Sequence, residues 1–307
     1  MMGCTDRHFR LLARLLAPHA LLYSEMITTG ALLHGDAQHH LRHQGDRPSA
    51  LQLGGNDPAA LAECARFVED AGYQEVNLNV GCPSDRVKDG MFGASLMARP
   101  ALVARCFASM QDAVSIPVTV KCRIGIDDSE GLAFFLEFLR TVRAAGCEVF
   151  AVHARKAILR GLSPKENREI PPLKYHYVKA AKQSFPDLTL ILNGGLKDDE
   201  ALDRGFDGVM LGRAAYSDPW VLAHMEHKRY GTAVPARSQV LGAYLEHVTR
   251  EHAAGTAVKH MARHLFGFFL GVRGARRFRR ELSATMFAED ASPATIHRAL
   301  AKSGVTA

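Results

Sequence analysis

The chain has 307 residues, 47% hydrophobic and 23% charged, ordinary proportions for a globular protein with a sizeable core. It has no apolar run near the ~18 residues of a membrane span and no cleavable-signal pattern, and its six cysteines include no Cys-x-x-Cys pair, which argues against a disulfide framework or zinc ribbon and for a reducing cytoplasm. Residues 234–307 hold 11 Lys/Arg against 5 Asp/Glu, whereas residues 1–233 hold 27 of each, so the whole net charge of +6 sits in the last quarter; a neutral body with a basic appendix points to a polyanionic partner docking on the appendix.

In chain order, Thr5 or Asp6 is a natural N-cap for a helix over 7–17. Short apolar strands are expected over 20–24, 50–53, 75–80, 118–121, 149–153, 189–192 and 208–211. Helical patterns fill most of the intervals, at 57–71, 101–113, 129–145 and 173–184. Near-continuous apolar strands alternating with helices predict a parallel sheet covered by helices. From Pro235 the pattern becomes helical throughout: 239–253, 258–270, and a last stretch from Pro293. The expected architecture is α/β, a TIM (β/α)8 barrel over residues 1–233 followed by a small all-α domain over 234–307. Seven strands are visible where a closed barrel has eight, and the expectation is that the first strand is absent from this chain.

Several polar residues fall at the expected strand tips, where barrel enzymes gather their functional groups. Cys82 follows the strand 75–80 in Gly81-Cys82-Pro83, and Pro83 biases it toward extended backbone. It is either a small packing residue or a reactive thiol. Gln52, Asn79, Lys121 and His153 stand at or beside other tips; a solvated strand end for Lys121 and a satisfied buried imidazole for His153 are the plain alternatives. Asn193-Gly194-Gly195 and Gly212-Arg213 end the last two strands, where glycines let backbone N–H groups approach an anion. Asn193-Gly-Gly could equally be a simple turn. Arg273, Arg276, Arg277, Arg279 and Arg280 lie within eight residues, with no acid before Glu281. They form either a polyanion-binding face or a solvated helix face. His260 and His264 are spaced i, i+4 but lack an evident third ligand, so no metal site is expected.

Thr5–Arg10, Tyr23-Ser-Glu-Met26, Asn77–Arg86, Val152-His-Ala-Arg-Lys156, the block Pro164–Pro172 and Gly208–Tyr216 together resemble the tRNA-dihydrouridine synthases over nearly the whole chain. The block 163–173 is similar to their A subfamily. The resemblance implies an FMN enzyme that uses NADPH to reduce uridine to 5,6-dihydrouridine in the D-loop of tRNA, at positions 20 and 20a. It further implies flavin contacts from Met1, Gln52, Lys121, His153, Asn193, Gly194, Gly195, Gly212 and Arg213, with Cys82 as the catalytic acid. Asn79 would lie close to flavin and uracil. Arg155, Lys156, Ser163 and Glu166, with the five C-terminal arginines, would be tRNA contacts; an ordinary surface ion pair is the alternative for Arg155 and Lys156.

Chemically these assignments cohere. Hydride delivered to carbon 6 of uracil leaves enolate-like charge toward carbon 5, and a positioned thiol can protonate it from the opposite side. Lys121 and His153 can hold the flavin ring oxygens, and Arg213 with the glycines suits a phosphate. A uracil in a folded D-loop would have to be extruded to reach the cleft. No Gly-x-Gly-x-x-Gly is present, so NADPH would enter the same cleft in turn. One-to-one docking on tRNA needs only a monomer, in the cytoplasm. Family members carry a strand ending in Ala-Pro-Met where this chain begins with Met1, and the chain as given is expected to hold FMN poorly. Two other functions are compatible with parts of the pattern: an FMN-dependent reductase of a free pyrimidine, and a tRNA-binding protein with impaired chemistry. The first leaves the basic domain without a purpose.

Overall fold

In a computed structural model of the chain, residues 1–84 and 90–305 are described. Seven parallel strands form one sheet in sequential order: β1 (Leu22–Thr28), β2 (Ser49–Gly54), β3 (Glu75–Val80), β4 (Val118–Arg123), β5 (Val149–His153), β6 (Thr189–Asn193) and β7 (Gly208–Met210). Helices Pro58–Asp70, Pro100–Ala113, Leu132–Arg143 and Tyr175–Ser184 connect successive strands, giving the α/β architecture of a TIM-type barrel. The helix face toward the sheet is apolar. Leu61, Cys64, Ala65 and Val68 of the first, and Phe135, Phe138, Leu139 and Val142 of the third, are buried in the barrel core.

β1 begins two residues later than the pattern suggests and runs on to Thr28. The Arg14 guanidinium explains the delay: it donates to the carbonyls of Ala17 (2.7 Å), Pro18 (2.7 Å) and Ala20 (2.6 Å), drawing that backbone into a loop. The expected helix over 258–270 is also corrected. It divides into Lys259–Ala262 and a 3-10 turn, Arg263–Phe266. Gly267 lies so close to the backbone after β7 that a Cβ there would come within 2.5 Å of the Ser217 carbonyl oxygen. Close packing therefore ends the helix at that point.

Asp6 is the N-cap of helix Arg7–Leu16, its carboxylate accepting the N–H groups of His8 and Phe9, each at 3.0 Å. The short segment before it touches both edges of the sheet. Cys4 N–H donates to Glu25 of β1 at 3.0 Å, and the Met1 sulfur lies 3.1 Å from where a Cβ on Gly212 would be, just beyond β7. Phe9, Ala13 and Leu22 form a small cluster with Ala20, Tyr216 and Leu222, so this helix seals the space between β1 and the segment after β7.

A second core lies among the C-terminal helices, and it does not begin at residue 234. Leu12 and Leu16 of the N-terminal helix, with Trp220 and Ala223, are buried against Tyr244, Leu265, Phe268 and Phe278. Polar ties reinforce the junction: Arg7 pairs with Glu251, and Asp6 with Arg263 and His264. No helix among the described residues is long and apolar enough to cross a membrane.

Candidate functional site

Strand register decides which side chains meet at the barrel mouth. Asn79 of β3 is opposite Lys121 of β4, Arg123 opposite His153 of β5, and His153 opposite Asn193 of β6. Cys82 follows β3, half-buried, with its backbone held on both sides. Its N–H donates to Asn79 Oδ1 at 2.9 Å and its carbonyl accepts from Ala94 N at 2.9 Å. The thiol lies 3.5 Å from Ser84 Oγ. Asp85 and Arg86, the end of the Asn77–Arg86 stretch, lie outside the described residues.

Lys121, Arg123, Arg155 and Arg213 all lie close enough to His153 to act on it electrostatically. Burial first, and then these four cations, hold the imidazole well below its usual pKa, so it is neutral at physiological pH. Its Nδ1 is buried and has no hydrogen-bond partner among the described residues. Burial, with Arg123 next, lowers the Lys121 ammonium to about 8. Four cations around an imidazole with an unused nitrogen make a place suited to an electron-rich or anionic group.

The glycines after β6 shape the adjoining wall. Gly194 and Gly195 have φ of 105° and 71°; a Cβ on Gly194 would lie 3.2 Å from the His153 ring and one on Gly195 2.6 Å from Leu173 Cδ1. Only short elements follow these glycines directly. A 3-10 turn, Asp199–Arg204, follows Gly195, and only the five-residue helix Arg213–Ser217 follows Gly212. The first is polar (Asp198, Asp199, Glu200) and halts at left-handed Gly205, so backbone N–H groups rather than a long helix dipole are available there.

Gln52, Asn79, Cys82, Lys121, His153, Gly194, Gly195, Gly212 and Arg213 thus stand in or just beyond the C-terminal halves of β2 to β7 of one parallel sheet, with Met1 near Gly212, and several polar groups at this end are already engaged. Asn193 uses its amide to donate to the Met210 carbonyl at 2.7 Å, tying β6 to β7. Arg213 pairs with Glu169 at 2.6 Å and also donates to the Arg168 carbonyl. Arg155 donates to the Pro171 carbonyl. Lys156 forms the ion pair weighed for it, with Glu130 at 3.0 Å, alongside Lys174. Ser163 and Glu166 cap each other: Ser163 N–H donates to Glu166 Oε2 at 2.8 Å, and Glu166 N–H to Ser163 Oγ at 3.3 Å.

Two features escape a reading of strand tips alone. Arg123 is buried at the end of β4, donating to the carbonyls of Gly81 (2.8 Å), Lys156 (3.0 Å) and Asn167 (3.0 Å), so one guanidinium joins the loop after β3 to two points of the connection after β5. Its i, i+2 spacing from Lys121 on one strand face is the sequence signal. The other is a buried hydrogen-bonded ladder inside the barrel. Glu75 Oε1 accepts from Tyr23 and, at 2.7 Å, from Thr119; Asn77 donates to Thr119 Oγ1 at 2.8 Å; Gln52 donates to Asn77 at 2.7 Å; and Asn79 donates to Gln52 at 2.6 Å. Asn79 Oδ1 then receives the N–H groups of Gly81 and Cys82.

The basic appendix is an outward-facing helix, Ala275–Thr285. Ala275, Phe278 and Leu282, at i, i+3 and i+7, are buried and turn Arg276, Arg277 and Arg280 outward, with Arg279 partly so. Arg273 is exposed just before it. With Val272, Arg276, Arg277 and Arg280 line an open groove. Among the described residues no acid comes within ion-pair distance of Arg276, Arg277 or Arg279; Arg280 lies 3.8 Å from Glu281.

Comparison with known proteins gives a consistent result. The dihydrouridine synthase (Dus) family model matches residues 1–303. A Pseudomonas putida protein named tRNA-dihydrouridine(20/20a) synthase is 54% identical over 290 residues, covering 92% of this chain and 86% of that one. Proteins of the same name from Escherichia coli K12 and Salmonella typhi are 51% and 50% identical, covering 92% and 98% of this chain and 84% and 92% of theirs. Among solved structures, a 2-naphthoyl-CoA reductase complex matches with a TM-score of 0.55 at 11% identity, over 75% of this chain and 48% of that one. Histamine dehydrogenase from Rhizobium sp. 4-9 matches at 0.51 and 13%, over 74% and 44%. This chain spans about half the length of those two, and the likeness is one of fold.

Proposed function

The chain belongs to the dihydrouridine synthase family, and from that premise we propose that it reduces uridine to 5,6-dihydrouridine in the D-loop of tRNA, at positions 20 and 20a, with FMN as its flavin and NADPH as reductant. The observation that carries the reading is the buried Nδ1 of neutral His153, without a hydrogen-bond partner among the described residues, with Lys121, Arg123, Arg155 and Arg213 close to the ring and Cys82 near Lys121 and Arg123. That set fits a flavin, whose ring oxygens accept hydrogen bonds and whose phosphate is anionic. Lys121 and His153 would hold the ring, with Gln52 and Met1 along it. Gly194, Gly195 and Gly212 would present N–H groups to the phosphate, with Arg213 as counter-charge after exchanging Glu169.

Flavin, when bound, supplies the hydride that carbon 6 of uracil accepts. Cys82 donates its thiol proton to carbon 5, and the thiolate then recovers a proton from solvent. Such general-acid help is worth ~10²–10⁴ in rate. Asn79 and Arg123 keep the thiol in place by holding the Gly81-Cys82 backbone from either side. Arg155, Lys156 and the Ser163–Glu166 turn lie around the mouth where an extruded nucleotide would enter. The helix Ala275–Thr285 supplies phosphate contacts through Arg276, Arg277, Arg279 and Arg280, with Arg273 beside them.

The test is the dihydrouridine content of tRNA from a strain lacking the gene, with and without the gene restored. Loss of dihydrouridine at positions 20 and 20a on deletion, and its return on restoration, is the expected result. Unchanged dihydrouridine would remove the reading, including in favour of a free-pyrimidine reductase.

A further inference from the structure

The ladder below Cys82 has a direction. Its lower end is the Glu75 carboxylate oxygen, which accepts hydrogen bonds from the hydroxyls of Tyr23 and Thr119. Its upper end consists of two backbone N–H groups, Gly81 and Cys82, which can only donate. Between them lie one hydroxyl and three carboxamides, each able to face either way. With Glu75 accepting, Thr119 gives its proton downward and offers a lone pair to Asn77 Nδ2. Asn77 then presents its oxygen to Gln52, Gln52 its oxygen to Asn79, and Asn79 its oxygen to the N–H groups of Gly81 and Cys82. Glu75, Asn77, Thr119, Gln52 and Asn79 are all buried, so water cannot easily repair a reversed bond.

We propose that Glu75 is a positioning residue for Cys82: from the lower end of the barrel interior it sets the sense of the Thr119–Asn77–Gln52–Asn79 ladder and so fixes the backbone that carries the thiol. A carboxylate can only accept, whereas an amide at position 75 can also offer an N–H to Thr119, so the constraint at the lower end is lost and only the Gly81 and Cys82 N–H groups hold the sense. In the reversed fraction Asn79 turns its own N–H groups toward those of Gly81 and Cys82, and the loop is released. The proposal rests on the reading of Cys82 as proton donor, and its test keeps the two apart.

Glu75→Gln and Tyr23→Phe are compared in the flavin-loaded enzyme. Tyr23→Phe removes a bond to Glu75 without changing the ladder's sense. Alkylation of Cys82 by iodoacetamide is followed by peptide mass spectrometry, with single-turnover tRNA reduction measured alongside. Glu75→Gln should alkylate Cys82 about tenfold faster and turn over about tenfold more slowly, the scale of one buried unsatisfied polar group, while Tyr23→Phe stays within about twofold of wild type. If Glu75→Gln does not fold, Thr119→Val, which cuts the relay and leaves Glu75 in place, should shift both rates in the same direction. Unchanged alkylation in a folded Glu75→Gln or Thr119→Val enzyme overturns the proposal, as do equal effects from Tyr23→Phe. Cys82→Ala is the control on the underlying reading: full turnover there would refute the acid role, while the alkylation result would still report on Glu75.

Discussion

His8 Nδ1 and His247 Nε2 lie 2.8 Å apart in a buried contact that joins the N-terminal helix to helix Arg237–Ala253. A single hydrogen lies between the two ring nitrogens, so the contact is lost once both rings are protonated. Burial, opposed by Asp6 and Glu251 and aided by Arg7, pulls His8 down to about 3; burial likewise lowers His247 to about 4, with Glu251 opposing and Arg7 and Arg250 aiding.

The sign of the pH dependence follows. Free histidine titrates near ~6.5, so between about pH 4 and 6.5 the unfolded chain binds these protons and the folded one does not. Stability is full above pH ~6.5 and declines as pH falls below it. Below about pH 4.5 two carboxylates add to the loss. Glu251 is held low first by Arg7, and Asp6 by the bonds from His264, Phe9 N–H and Arg263, which together outweigh its burial. Urea midpoints measured at pH 7, 6 and 5 should fall steadily. His247→Gln, which can still bond His8, should flatten that slope by about one proton; an unchanged slope would exclude this pair as its source.

Cys82→Ala should keep the fold and the flavin, because the Cys82 backbone bonds to Asn79 and Ala94 do not involve the thiol. Single-turnover tRNA reduction should drop by ~10²–10⁴, the usual scale of general-acid loss. Wild-type turnover would take the acid role from this residue.

Replacing Arg276, Arg277, Arg279 and Arg280 with Ala should weaken tRNA binding without altering flavin content. The substituted side chains leave Ala275, Phe278 and Leu282, which anchor the helix, untouched. The dependence of log affinity on log salt should flatten by roughly one unit per phosphate contact removed. Equal salt slopes would return the cluster to the role of a solvated face.

Gly195→Ala should be destabilising at the site and not merely locally tight. Its φ of 71° is unfavourable for a side-chain-bearing residue, and its Cβ would meet Leu173 Cδ1 at 2.6 Å. The backbone strain alone is about 1–3 kcal/mol. Denaturant unfolding and flavin absorbance should both register the loss. Adding Leu173→Ala relieves the contact but leaves the backbone strain, so the double variant should recover only in part.

The sequence by itself determined what depends on neighbours along the chain. β3 and β5 occupy the residues their patterns mark, Glu75–Val80 and Val149–His153, because a run of apolar residues ending at Gly or a polar tip is a local signal. The strand-tip positions of Cys82, Lys121, His153 and Gly194-Gly195 followed from those limits. The tertiary structure decided everything that depends on register and on partners far away in the chain. Thr119 reaches Glu75 across 44 residues, and Arg7 reaches Glu251 across 244. It assigned Lys156 to Glu130, Asn193 to Met210, and Ser163 and Glu166 to each other. Residue type and spacing identify which groups can form hydrogen bonds; only the curl and stagger of the strands select among their possible partners. That selection turned Arg123 into a clamp between the loops after β3 and β5 and Glu75 into the lower end of the ladder beneath Cys82.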